Sequence, residues 1–210
     1  MKEKTCYARF VKPLLDRVLG LLGLICLSWL FLIIAVVIYA DDPGPVIFKQ
    51  RRVGKKKNGK ITYFNIYKFR TMKVSTPEVP THLLGDPQKW ITRVGKFLRK
   101  TSLDELPQLW NIAIPHNLSV IGPRPALWSQ DDLVAEREKY GANDVMPGLT
   151  GWAQINGRDE LEIPEKARLD GEYVKHISFS MDLRCFFGTI SSVAKQKGVV
   201  EGGTGKGKHE

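Results

Sequence analysis

Two acids side by side, Asp104 and Glu105, stand just after the basic run Arg99-Lys100 and just before Leu106-Pro107. One reading of them is structural. Ser102 and Glu105 match an S-x-x-E capping box, and acids favour the first turn of a helix. Pro107 fits best in a first turn, which moves the cap toward Asp104 itself. In either register the pair sits at a positive helix end, where a carboxylate stays ionised and a phosphate finds free backbone N–H groups. An ionised aspartate beside Arg99, Lys100 and a phosphate has the properties of a phosphoryl-accepting nucleophile. Its glutamate neighbour can hold a divalent ion or handle protons. Magnesium is the metal such a site prefers, because it binds phosphate oxygens together with one or two carboxylates. Arg99, Arg124 within the rigid Pro123-Arg124-Pro125 tripeptide, and Arg158 can each pair with phosphate in bidentate fashion, or serve as surface ion-pair partners. Asp182, near the start of the last helix, is open in the same way: a first-turn acid, or a second acid of the metal or phosphate site.

The element that must carry such a site to its substrate is the uncharged run Val18 to Ala40. As one helix it reaches roughly 34 Å, enough for a bilayer core of about 30 Å. Lys2, Lys4, Arg9, Lys12 and Arg17 precede it, and Lys49, Arg51, Arg52, Lys55, Lys56, Lys57 and Lys60 follow it. Basic flanks mark the cytoplasmic side, and here both ends qualify. A hairpin that dips into the membrane and returns to the same face satisfies both; a straight span satisfies one. Ser28, near the middle, has a hydroxyl that can bond backbone groups freed at a bend. No A-x-A pattern follows the run, which argues against a cleaved signal peptide.

The net charge of +10 is unevenly spread: residues 1–100 hold 20 Lys and Arg against 6 Asp and Glu, and residues 101–210 hold 12 against 16. A basic half beside a membrane segment favours anionic headgroups or phosphate ligands. Nucleic acid is the competing partner for that charge, but no nucleic-acid-binding motif accompanies it. Cys6, Cys26 and Cys185 are too few and too scattered for a disulfide framework or a zinc site, in keeping with a reducing compartment.

Past Asp41-Asp42-Pro43-Gly44-Pro45, the segments VIFKQRRVG and ITYFNIYKFRTMK flank Asn58-Gly59, the strongest short hairpin signal. Residues 74–90 read as a loop. ITRVGKFLRK places Ile91, Val94, Phe97 and Leu98 at helical spacing, a basic amphipathic helix fit for a membrane interface. Residues 128–140 and 161–175 read as helices, MPGLTGWAQINGR as a structured loop, and a final amphipathic helix starts after Ser180. The tail 202–210 has a disordered composition.

The strings GPVIFKQRRVG, FNIYKFRTM, RKTSLDELPQLWN, SVIGPRP and PGLTGWAQINGR, in this order after an apolar segment, resemble the bacterial sugar transferase family. These are the monotopic phosphoglycosyl transferases, here in the small form of membrane anchor plus catalytic domain. The resemblance covers roughly residues 12 to 190. It implies transfer of a sugar 1-phosphate from a UDP-sugar to a polyprenyl phosphate such as undecaprenyl phosphate, with release of UMP, at the cytoplasmic face of the bacterial inner membrane. By the same resemblance Asp104 forms a covalent phosphosugar intermediate with Mg²⁺ offsetting charge, and Glu105 supports the metal or the proton transfers. Arg99 contacts phosphate, while Lys68, Arg70, the Pro123-Arg124-Pro125 motif and Arg158 line the nucleotide and phosphate site. Asp182 matches the acid that follows the family's last basic-aromatic stretch. Family members tend to carry Ser-Pro where this chain has Ser28-Trp29.

The reading is therefore an α/β protein, mostly α with a small β-hairpin, monotopic, with a re-entrant N-terminal membrane helix. Residues 1–40 form the basic segment and anchor, 41–201 the catalytic domain, and 202–210 the tail. A membrane scaffold without catalysis and a nucleic-acid binder are the rivals. Neither the identity of the sugar nor the oligomeric state is encoded in any spacing.

Overall fold

The computed structural model describes residues 5–77, 86–157 and 160–194. Within them the apolar run is two helices rather than one. After a π-helical turn at Tyr7–Val11, α1 (Lys12–Cys26) and α2 (Ser28–Asp41) meet at Leu27 and bend by 61°. Ser28 Oγ donates to the carbonyl of Ile25 at 2.9 Å, so a side-chain hydroxyl satisfies a group at the break, without a proline. No single described helix is long and apolar enough to cross a membrane; the bent pair, taken together, reaches that length and composition.

Strands β1 (Ile47–Val53) and β2 (Tyr63–Phe69) pair antiparallel, from Ile47↔Phe69 to Val53↔Tyr63. Asn58 and Gly59 at the tip both have positive φ, 49° and 74°, as the sharp hairpin turn between Lys57 and Lys60 requires. The outer edge of β2 is closed by a side chain. Asn111, fully buried on α4 (Gln108–Ala113), accepts from Tyr67 N at 3.1 Å and donates to Asn65 O at 2.8 Å, standing in for a third strand.

Helix α3 (Arg93–Thr101) is the expected amphipathic segment, capped by Thr92, whose hydroxyl accepts from Gly95 N at 2.9 Å. Its buried side, Leu98, meets Ile34 and Ile38 of α2 and Phe69 of β2; Leu103 and Leu106 pack on the same cluster. Phe97 is 60% exposed. The capping box is not formed. Ser102 takes a left-handed φ of 58° that closes α3, no side-chain cap is made, and a 3-10 turn follows at Leu103–Glu105.

Part of the predicted loop MPGLTGWAQINGR is regular: β4 (Gly148–Thr150) runs parallel to β3 (Ser119–Ile121) and leads into α6 (Trp152–Ile155). Glycine permits this pairing, since a Cβ on Gly148 would lie 2.1 Å from Gly122 N. Helices α5 (Asp131–Glu138) and α7 (Ile163–Lys175) follow the acidic and charged segments, and α8 (Phe179–Ala194) is the last helix, two residues ahead of the expected start. The tail 202–210 lies outside the described residues.

Candidate active site

Asp104 and Glu105 occupy the 3-10 turn between α3 and α4, and helices α1 and α2 grip this turn and α4 from two sides. Leu103 and Leu106, on either side of the acids, pack on the α2 cluster. Leu109 and Ala113 of α4 meet α1 where it carries glycine: a Cβ on Gly23 would lie 3.0 Å from Leu109 Cδ1, and one on Gly20 would lie 3.0 Å from Ala113 N. Small residues let the two helices approach closely.

Three cations converge on the acids from three elements. Lys68 of β2 donates to Glu105 Oε1 at 2.8 Å and reaches within 4.0 Å of Asp104 Oδ2. Arg124, in the Pro-Arg-Pro loop after β3, forks onto Glu105, with Nη2 to Oε1 at 2.5 Å and Nη1 to Oε2 at 3.3 Å. Arg99, in the last turn of α3, donates to Thr71 Oγ1 at 2.9 Å and adds its charge near Asp104.

The two carboxyls are thereby driven apart. Asp104 is 9% exposed, and burial pushes its carboxyl above the ordinary range, opposed by Lys68 and reinforced by Glu105. Burial also works against charge on Glu105. There the Arg124 and Lys68 charges and their hydrogen bonds outweigh it and hold the carboxyl well below its usual value. Glu105 is thus a fixed anion saturated by cations, while Asp104 has the less compensated oxygens.

The Pro-Arg-Pro loop is fastened by its main chain. Pro123 O accepts from Gly148 N at 2.9 Å, Pro125 O from Arg52 at 3.0 Å, and Arg124 O from Arg137 at 2.9 Å. Arg124 Nη1 also donates to Leu149 O at 3.2 Å, which ties the guanidinium to β4. Arg137 in turn is locked by Asp170 of α7, through bonds of 2.6 and 2.8 Å inside the core. Arg52, Arg137 and Asp170 were not singled out from the sequence. The available hint was a buried-type ion pair hidden inside two otherwise ordinary charged helices.

Two expected phosphate-site residues have other partners. Arg70 donates to Asp42 Oδ2 at 2.6 Å and to the Asp42 carbonyl, clamping the end of α2 to β2. Asp42 Oδ2 also accepts from Val74 N, while Asp41 accepts from Val94 N at the start of α3. Asp182 is buried and accepts from Tyr7 OH at 2.6 Å, Lys12 Nζ at 2.7 Å and Tyr173 OH at 2.7 Å. It fastens the start of α1 to the first turn of α8, and Tyr7, Lys12 and Tyr173 all lie outside the Asp104 cluster. Asp16, a turn further along α1, accepts from Ser119 Oγ and Val120 N of β3. In both cases charge pairs tie the ends of the bent helix pair to the folded domain. Arg158 lies outside the described residues.

Among the described residues no cluster of three or more His, Cys, Asp or Glu side chains is arranged around a metal. The Asp104–Glu105 pair fits magnesium in the manner of a phosphate enzyme, with one or two carboxylates and the remaining ligands from phosphate and water.

The model of the bacterial sugar transferases matches residues 7–196. The chain is 38% identical over 189 residues to an uncharacterised sugar transferase of Bacillus subtilis, covering 90% of each. It is 38% identical over 204 residues to an exopolysaccharide production protein of Rhizobium leguminosarum, covering 90% of this chain and 98% of that one. With the UDP-glucose:undecaprenyl-phosphate glucose-1-phosphate transferase of Escherichia coli it shares 39% identity over 197 residues, 87% of this chain but 40% of the relative's length. With that coverage the chain belongs to the bacterial sugar transferase family.

Proposed function

We propose that this protein transfers a sugar 1-phosphate from a UDP-sugar to undecaprenyl phosphate on the cytoplasmic face of a bacterial inner membrane, and so starts a glycan. The observation that carries the reading is a buried, undercompensated aspartate held between three cations on a turn that the membrane helices themselves grip. Relatives named for this reaction, with glucose in Escherichia coli and galactose in Salmonella typhimurium, support the substrate class.

In the first step a carboxylate oxygen of Asp104 attacks the β-phosphorus of the UDP-sugar. The bond from that phosphorus to the bridging oxygen breaks, and UMP leaves with the electron pair. In the second step a phosphate oxygen of the lipid attacks the same phosphorus, the aspartyl bond breaks, and the carboxylate is restored. Arg99 and Lys68 meet the phosphate charge, and Arg124 with Lys68 keeps Glu105 ionised and aligned. Asp104 and Glu105 would hold Mg²⁺, which supplies charge neutralisation to the diphosphate. Lys68 and Arg124 remain in the phosphate role that the motifs imply, and Arg158 is placed there by resemblance.

Both ends of the bent pair are fastened to the same folded domain, α1 through Lys12 and Asp16, α2 through Asp41 and Asp42. That favours a re-entrant anchor, residues 1–40, over a straight span, with residues 41–201 as the catalytic part. Such an anchor keeps Asp104 at headgroup depth, where a lipid phosphate reaches it without leaving the bilayer.

The test is to incubate the purified protein in lipid with radiolabelled UDP-sugars and Mg²⁺, then quench and map the label. Label on the peptide holding Asp104, chased by undecaprenyl phosphate, is expected. Product formed with no such adduct would overturn the two-step mechanism, and no product from any donor would overturn the assignment.

A further inference from the structure

We propose that Phe48 is a contact for the prenyl chain of the acceptor, seating its first isoprene units between the membrane and the catalytic turn. The inference rests on the function proposed above and assigns a route to one of its substrates.

Phe48 pairs directly with Lys68 across β1 and β2. Residues paired in this way project from the same face, with Cβ atoms about 5 Å apart. Lys68 is the residue whose ammonium touches Glu105 at 2.8 Å and approaches Asp104 at 4.0 Å. An aromatic ring therefore adjoins the stem of a lysine in the reacting cluster. That ring is 49% exposed, although its neighbours on the same face, Ile66 and Lys68, are covered.

The position along the strand selects the occupant. Two residues earlier Val46 packs on the α2 cluster, and its carbonyl accepts from Arg70 N, beside the clamp at the end of α2. At about 3.3 Å per residue, Phe48 stands roughly 7 Å further from the end of α2, level with the lysine at the site. A polyprenyl phosphate must span that interval, with its phosphate at Asp104 and its tail in the bilayer. Its first carbons after the phosphate are apolar, and an exposed apolar ring there is covered by them with release of water. A nucleobase stacked on the same ring is the alternative occupant, and it belongs to the other half of the reaction.

The two half-reactions separate them. Phe48→Ala in lipid nanodiscs is loaded with labelled UDP-sugar, and UMP release in the absence of acceptor is timed. The loaded protein is then titrated with undecaprenyl phosphate. Loading at the wild-type rate is expected, with the acceptor concentration for half-maximal discharge raised about tenfold, the loss of a partly buried phenyl contact. Phe48→Leu, which keeps apolar surface, is expected to restore it to within about threefold. Phe97→Ala, an exposed aromatic on α3, reports any general loss of membrane seating and is expected to discharge normally. Slowed loading with normal discharge would assign Phe48 to the nucleotide and overturn the proposal, as would an equal defect in Phe97→Ala or no defect in Phe48→Ala. A wild-type protein that never loads would overturn the parent function, and this inference with it.

Discussion

At the scale of residues, the pair Asp104–Glu105 is divided by its surroundings into two different acids. Glu105 is ionised and held in a cationic fork; Asp104 is buried with its charge only partly offset. Because burial raises the Asp104 carboxyl, the folded protein keeps a proton there that the unfolded chain releases. That contribution to stability is present below the unfolded value of 3.8 and is lost as pH rises through the raised folded value. Asp104→Asn, which carries no charge to bury, is therefore expected to melt higher than wild type at neutral pH while losing on the order of 10³-fold or more in UMP release. Parallel calorimetry and turnover assays check both halves. The same shift governs activity with the opposite sign. Attack requires the ionised form, so adduct formation is expected to fall as pH drops through the raised Asp104 value, starting above the range of an ordinary aspartate. Glu105 stays charged throughout that window. Loading rates measured across pH at saturating donor test this, and a profile that is flat down to the ordinary aspartate range would contradict it.

At the scale of elements, the site depends on joints that hold α4, β2 and the Pro-Arg-Pro loop in register. The joint between α4 and β2 is Asn111, which closes the β2 edge next to Lys68. Asn111→Ala leaves a buried N–H and C=O unpaired, at a cost of about 1–3 kcal/mol each where water cannot replace the amide. The expected result is a lower melting temperature together with slower loading, since Lys68 lies on the loosened strand. Thermal unfolding and burst-phase UMP release measure the two. The hairpin, α3 and α8 were legible in advance, because Asn-Gly chemistry and helical periodicity are local signals. The β3–β4 pairing was not, since a three-residue parallel strand inside a glycine-rich segment is defined by its distant partner and not by its own pattern.

At the scale of the whole molecule, the bent helix pair and the rest of the described fold are packed together. Ile34 and Ile38 of α2 share a core with Phe69 and Leu98, while Lys12 and Asp16 of α1 are buried against α8 and β3. Both termini of the bent pair consequently face the folded domain. Tags at Met1 and Glu210 are both expected to resist external protease in sealed right-side-out spheroplasts, and cleavage at Met1 alone would establish a straight span. Burying a polar cluster such as Lys12–Asp182–Tyr173 costs desolvation that the mutual hydrogen bonds must offset. Its benefit is geometric, because it fixes the start of α1 against β3, α7 and α8.

From sequence alone came the membrane run, the hairpin, the basic helix and the Asp-Glu pair among phosphate-ready arginines, all signals carried within a few residues of each other. Family resemblance suggested the phosphate site for Arg70, and local pattern left Asp182 open between structural and site roles and Ser102 as one of two candidate helix caps. Folding gave each its place: Arg70 clamps Asp42, Asp182 binds Tyr7, Lys12 and Tyr173, and Ser102 closes α3 in a left-handed conformation. A charged residue's chemistry is set by which partner it meets once buried, and that partner can come from a distant segment, 28 residues away for Arg70 and Asp42 and 170 for Asp182 and Lys12. The 61° break at Leu27 belongs to the same class, because a serine without proline permits a bend while the packing of α1 on α4 and of α2 on α3 imposes it.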